Sequence, residues 1–257
     1  MQNTTLRSSF EDQQARIALL TQTAVEGYPA IWEQIVAQWQ KAETDAAWLT
    51  YSANYLFHTA GVHWALDPLS LFSRLSLPNP MNFANDLAPL EAVILTHRHA
   101  DHLDPDLLSK LVDLPVTWVV PDFLLDELLQ IFKGRSAKII VPHQGVPIHI
   151  KDLVLIPFEG LHFRDGHGVP EMGYLAEFSG KKWAFPGDTR LFPAQELTKH
   201  GSLDGIFAHL WLGKKCALYE TPPLLEDFCR FFTEPAPSRL VVTHMHEMAR
   251  KPDDFWD

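Results

Sequence analysis

The stretch Ala92-Val93-Ile94-Leu95-Thr96-His97-Arg98-His99-Ala100-Asp101-His102 joins an apolar run to a dense group of metal-ligand side chains. Three histidines and one carboxylate fall within six residues. Neutral imidazole and carboxylate are the donors that borderline divalent ions prefer. Side chains alternate along a strand, so His97 and His99 share a face while Arg98 points away. Asp101 and His102 are adjacent, and an extended chain cannot aim both at that face. The backbone must therefore turn near Ala100. Such a turn lets His97 and His99 serve one ion while Asp101 and His102 serve a second. Asp104-Pro105, just beyond, opens a helix whose apolar face is Leu107, Leu108, Leu111 and Val112.

Two ions need more ligands than these four. Further donors stand at the ends of other apolar runs. Phe185-Pro186-Gly187-Asp188-Thr189 places an acid after a strand, with a glycine to allow the tight turn. Val241-Val242-Thr243-His244 repeats the strand-then-histidine pattern of Leu95-Thr96-His97, and Leu161-His162-Phe163 follows another strand. Each signal is weak alone. Together, at strand ends where sheet folds gather their sites, they are strong. His167 competes with His162, and His246 with His244. His162 and His244 are preferred because each follows its apolar run more directly. His209 is read as a pocket or supporting residue, while His58, His63, His143, His149 and His200 show no pattern.

The 257 residues are 46% hydrophobic, enough for one large core. The net charge of −11 opposes broad binding to nucleic acid, which needs clustered Lys and Arg, but leaves room for a small anionic substrate. Two cysteines, Cys216 and Cys229, make neither a disulfide framework nor a paired-cysteine metal site. Residues 1–10 lack the apolar core of a secretory leader, and no run of about 18 apolar residues suggests a membrane span. The expectation is a cytoplasmic protein with no membrane partner.

Residues 1–46 read as a helical extension packed on a main domain, 47–257. Ser8 and Glu11 have capping-box spacing, and Pro29 can open a second helix carrying Ile31, Trp32, Ile35, Val36 and Trp39 on one face. A helix pair is the expectation, with a homodimer contact as one use for its aromatic face. Strands are predicted at Val62–Leu66, 91–96, 116–120 and 138–141. Others fall near 148–157, 173–178, 181–185, 204–210 and 239–243. Helices follow Asp104 and Asp122, each read as an N-cap, the second helix ending at Gly134, and a further helix spans about 222–232. This pattern indicates an α/β protein with mixed sheets and helices outside them.

From about residue 48 to 250, the chain resembles the metallo-β-lactamase-fold superfamily of metal-dependent hydrolases. The resemblance rests on His97 to His102, His162, Gly187-Asp188-Thr189 and His244, with Asp67-Pro68 after an early hairpin. The successive gaps from His102 to His162, from His162 to Asp188 and from Asp188 to His244, 60, 26 and 56 residues, suit a compact member. The resemblance implies a four-layer αββα sandwich with a two-metal site at one edge. It implies that His97, His99 and His162 bind one ion, that Asp101, His102 and His244 bind the other, and that Asp188 bridges them. Zinc is the first expectation, with manganese and iron as alternatives.

The implied chemistry is attack by a hydroxide held between the ions on a small ester, lactone or phosphodiester, with Asp101 also taking a proton. Lys214, Lys215, Arg164 and Trp211 are the candidates for holding the substrate, and Arg190 is a further anion anchor. The alternative is a mononuclear iron oxidoreductase of the dioxygenase type on the same fold.

Overall fold

The computed structural model describes residues 2–163, 166, 168–193, 195–211 and 225–249, with the backbone alone for residues 2–11 and 13. The chain opens with α1 (Gln2–Gln40), then β1 (Ala46–Leu49), β2 (Tyr55–Thr59), β3 (Val62–Leu66), α2 (Leu71–Arg74), α3 (Phe83–Asp86) and β4 (Ala92–Ile94). α4 (Pro105–Leu111), β5 (Thr117–Val119), α5 (Asp122–Phe132) and β6 (Lys138–Ile140) complete the first half. The second half holds β7 (Ile148–Ile150), β8 (Leu153–Glu159), β9 (Met172–Phe178), β10 (Lys181–Phe185), α6 (Gln195–Thr198), β11 (Gly205–His209), α7 (Leu225–Thr233) and β12 (Arg239–Thr243).

Two six-stranded sheets form, ordered β1-β2-β3-β4-β5-β6 and β12-β11-β10-β9-β8-β7. Both are mixed. In the first, β1 to β3 pair antiparallel and β3 to β6 parallel. In the second, β7 to β10 pair antiparallel, while β10, β11 and β12 run parallel.

Strand periodicity sorts the core into layers. On β2 to β5, Tyr55, Phe57, Trp64, Leu66, Ala92, Ile94 and Val119 face inward and pack on Leu155, Tyr174, Ala176, Phe185 and Phe207 of the second sheet. The intervening Leu56, Ala65, Val93 and Trp118 face outward against α1, α4 and α5. On the far side, Leu175, Ala184, Ile206 and Ala208 meet Leu197 of α6 and Phe228, Phe231 and Phe232 of α7. The result is helix, sheet, sheet, helix, the αββα sandwich.

Three local expectations are corrected. The N-terminal pair is one continuous helix that runs through Pro29, and Ser8 and Glu11 lie inside it rather than at a start. A helix-interior proline costs about 3 kcal/mol. Here the flanking Tyr28, Trp32, Val36 and Trp39 are all buried against the first sheet, which outweighs that cost. Their polar atoms are also satisfied. Tyr28 donates to Thr50 O at 2.9 Å, Trp32 Nε1 to Asp86 Oδ2 at 2.9 Å, and Trp39 Nε1 to Phe57 O at 2.9 Å. The single strand expected near 148–157 is instead the hairpin β7–β8, turned at Lys151 with φ of 52°. α5 has no side-chain cap from Asp122; Pro121 is its N-cap residue. Among the described residues, no helix is long and apolar enough to cross a membrane.

Because Trp39 is fully buried and its indole N–H is paired, Trp39→Ala is expected to destabilise the fold by about 3–5 kcal/mol. Urea unfolding followed by circular dichroism measures this. A loss under about 1 kcal/mol would show that α1 adds little to the core.

Candidate metal centre

The centre is built where strands stop. β4 ends at Ile94, and the loop to α4 carries His97, His99, Asp101 and His102. The expected turn at Ala100 is present, because the amides of His102 and Leu103 both donate to His99 O at 2.9 Å. His162 follows β8, Asp188 follows β10, His209 ends β11 and His244 follows β12. Glu171 immediately precedes β9, which runs antiparallel to its neighbours and so starts at the same edge. One edge of the sandwich therefore collects side chains from six separate segments.

The seven sequence-derived candidates converge there. Ligand atoms of His97, His99, His162 and Asp188 lie within 4.8 Å of one another, as do those of Asp101, His102 and His244. His162 Nε2 is 3.0 Å from His99 Nδ1, and His244 Nε2 is 3.2 Å from Asp101 Oδ2. Asp188 sits between the groups. Its Oδ2 is 3.9 Å from His97 Nε2, while Oδ1 is 3.4 Å from His102 Nε2 and 3.7 Å from His244 Nδ1. His244, not the exposed His246, enters the cluster. Trp211 is half-buried two residues beyond His209. Arg190 donates to His162 Nδ1 at 3.3 Å. Arg164, His167, Lys214 and Lys215 lie outside the described residues.

Buried carboxylates orient the histidines from behind. Asp67 accepts from the Thr96 amide at 2.8 Å and from the Thr96 hydroxyl, and binds His102 Nδ1 at 2.8 Å. Glu171 Oε1 is 2.9 Å from His97 Nδ1 and accepts from the Asp188 amide at 3.0 Å. With Nδ1 of each ring engaged, Nε2 is turned into the centre. This carboxylate–histidine pairing is how proteins fix the tautomer and aim of a metal-ligating imidazole.

Two glycines make room for Glu171. A Cβ on Gly160 would lie 2.7 Å from Glu171 Cγ, and one on Gly187 would lie 2.3 Å from Glu171 Oε1. Gly187 also has φ of +78°, a conformation glycine adopts without strain. Glu171 carries no spacing signal in the sequence. The supporting role of His209 is visible only in its contact with Asp188, 2.9 Å from Nδ1 to Oδ1.

The electrostatics favour neutral imidazole at His97, His99, His162 and His209. Burial pushes His97 well down, helped by His102, and lowers His99 and His209. His162 falls to about 4 for the same reason. Burial also opposes the charge on His102, but Asp188 and Asp67 outweigh it and hold this ring well above its ordinary value. Burial alone would raise Asp188; His244 and His102 instead hold it well down. Asp101 is likewise lowered against its own burial, chiefly by the hydrogen bond with His244. Burial and the neighbouring Asp188 push Glu171 well up.

Two buried atoms test whether this set fits a metal. His97 Nε2 and His102 Nε2 have no hydrogen-bond partner. An orphaned buried nitrogen costs about 1–3 kcal/mol. Here both orphans lie beside Asp188 among imidazoles and carboxylates, the donor set that zinc, manganese and iron accept. The residues fit bound divalent metal.

A comparison with curated proteins finds no match. Among solved structures, a metallo hydrolase from the archaeon Ignicoccus hospitalis is similar with a TM-score of 0.55 at 20% identity, covering 80% of this chain and 83% of that one. An isothiocyanate hydrolase from Delia radicum gut bacteria is similar with a TM-score of 0.56 at 19% identity, covering 76% and 83%. A diiron beta-hydroxylase from Streptomyces venezuelae is similar with a TM-score of 0.56 at 17% identity; the match covers 80% of this chain but only 45% of the hydroxylase. These identities carry the fold alone. The model of the beta-lactamase superfamily domain matches residues 66–245, from the end of β3 to the residue after His244, and on that match the chain belongs to the beta-lactamase superfamily.

Proposed function

We propose that this protein is a metal-dependent hydrolase that holds two divalent ions, zinc first, and cleaves a small, anionic ester, lactone or phosphodiester. The observation that carries the reading is the pair of partnerless nitrogens, His97 Nε2 and His102 Nε2, one in each ligand set with Asp188 between them. His97, His99 and His162 would hold one ion, and Asp101, His102 and His244 the other, with Asp188 shared. Bound divalent ions supply Lewis acidity at an ester or phosphoryl oxygen and bring the pKa of water down to near 7.

The chain's own residues do the rest. Glu171 and Asp67 keep the His97 and His102 rings from turning. Glu171 Oε1 accepts both of its N–H groups, so the arrangement holds whether or not the acid is protonated. Asp101 Oδ2, paired with His244 Nε2, is the group placed to take and return a proton. Arg190, half-buried beside His162, is the described cation best placed to meet an anionic group of the substrate.

The iron oxidoreductase is the second reading, supported by the structural likeness to a diiron beta-hydroxylase and by a donor set that also suits iron. Metal analysis separates the two. Protein purified without chelator or nickel resin is expected to carry about two equivalents of zinc or manganese by mass spectrometry. One equivalent of iron, with oxygen uptake, would replace the hydrolase reading.

His99→Ala and Asp188→Ala are each expected to reduce hydrolysis of bis(p-nitrophenyl) phosphate and a panel of simple lactones to background, with circular dichroism unchanged. Retained turnover in both would overturn the site.

Glu171→Ala removes the partner of His97 Nδ1 and is expected to weaken metal binding by about 10–100-fold. Gly187→Ala should do the same by displacing Glu171, and should also lower the melting temperature because its backbone is left-handed. Metal-buffer titration with thermal melts reads both. Unchanged affinity in both variants would mean Glu171 does not support the ligand set.

A further inference from the structure

One more buried histidine lies against the ligand set. His209 clusters with His102 and Asp188 closely enough to count as a donor. It differs from His97 and His102 in one respect: both of its nitrogens have protein partners. Nδ1 is 2.9 Å from Asp188 Oδ1, and Nε2 is 3.1 Å from the Tyr55 hydroxyl. That hydroxyl also binds Thr243 Oγ1.

A carboxylate only accepts, so the proton of His209 sits on Nδ1. Nε2 is then the acceptor, and Tyr55 O–H must donate to it. Thr243 O–H in turn donates to the Tyr55 oxygen. The chain of donors runs one way, from Thr243 through Tyr55 and His209 to Asp188. Tyr55 belongs to β2 of the first sheet, while His209 and Thr243 end β11 and β12 of the second. The tyrosine is buried, its ring stacked on His209 with centroids 6.1 Å apart at 22° and edge-on to Phe207 at 5.1 Å.

The chain acts on the residue that the two ligand sets share. Asp188 presents Oδ2 toward His97 and Oδ1 toward His102 and His244. His209 binds Oδ1 alone. It thereby fixes the rotation of the carboxylate, one oxygen to each set. We propose that His209 is a positioning residue and not a ligand, and that Tyr55 is required as a tyrosine because its hydroxyl occupies His209 Nε2 and so keeps the ring aimed with Nδ1–H on Asp188, holding that carboxylate as a bridge. The bridging part rests on the two-ion reading; the tautomer does not.

Two readouts on the full chain test it. In metal-free protein, long-range 15N–1H NMR should show His209 protonated at Nδ1 with Nε2 accepting a hydrogen bond, and Tyr55→Phe should remove the hydrogen-bond shift at Nε2 while Nδ1 stays protonated. In titrations with zinc, Tyr55→Phe and His209→Ala should each weaken one of the two bound ions by about 10–100-fold while sparing the other. His209→Gln, whose amide can still donate to Asp188, should recover most of that loss. An Nε2–H tautomer in the parent protein overturns the inference. So does Tyr55→Phe with unchanged zinc affinity, or His209→Gln no better than His209→Ala, which is the result a ligand would give. A parent protein that binds a single ion overturns the two-ion reading, and the tautomer then decides the Tyr55–His209 part by itself.

Discussion

The buried carboxylate of Asp67 ties the first sheet to the loop of proposed metal ligands, and the geometry of the centre rests on it. It stands just past β3 with φ of 44°, its amide donating to Ile94 O at 2.9 Å. Its side chain takes up the Thr96 amide, the Thr96 hydroxyl and His102 Nδ1 at once. Charge-assisted bonds of this kind are about twice as strong as neutral ones, and three converging on one group leave the loop little freedom. Asn54, also fully buried, braces the arrangement by donating to the carbonyls of both Asp67 and Asp101 at 2.8 Å. The end of β3 and the turn at Ala100 therefore move together or not at all.

A second constraint is electrostatic. Six buried or half-buried histidines and four carboxylates crowd one edge, and they push one another in opposite directions. His97 is driven down partly by His102, while His102 is driven up by Asp188 and Asp67. No assignment of protons satisfies every ring, as the partnerless His97 Nε2 and His102 Nε2 show. Bound divalent metal would replace several protons at once and would supply the missing partner of each orphan. Where ligands are this buried, metal binding and folding share one free energy. The strands can afford the unsatisfied edge because the inter-sheet core beneath it is continuous, from Tyr55 and Trp64 to Tyr174 and Phe207.

Much of this was legible in the chain. The strands at 181–185 and 239–243 fall where alternation and flanking turns put them, and all seven proposed ligands come from motifs at the ends of apolar runs. What escaped has physical causes. Pro29 reads locally as a helix start, but burial of Trp32 and Trp39 against the first sheet overrides local propensity. The β7–β8 hairpin turns at Lys151-Asp152, with no glycine or asparagine to announce a left-handed residue. Glu171 and Asn54 are single polar residues whose contacts with the centre lie far away in sequence, 47 positions for Asn54 and Asp101. Their roles arise only when the fold closes, so no local pattern marks them.

The last proposed ligand shows how the fold holds a residue against its own preference. His244 has φ of 60°, a left-handed conformation that costs a non-glycine residue about 1–2 kcal/mol. The surroundings over-determine it. Its amide donates to Ser52 O at 3.0 Å, and Ser52 Oγ donates to His246 O at 2.9 Å. Three residues on, Glu247 is buried and accepts from Arg74 at 2.7 Å and from the Tyr51 hydroxyl at 2.6 Å, and the Met248 amide donates back to that hydroxyl at 2.7 Å. Each of these bonds reaches a group that is itself tied down, so the segment has no relaxed alternative in which His244 leaves its left-handed conformation. The residues that grip this segment, Tyr51, Ser52 and Arg74, all belong to the first half of the chain, which also carries Asp101, the carboxylate His244 faces. The second sheet contributes the strand that delivers His244, and the first half sets the angle at which it arrives.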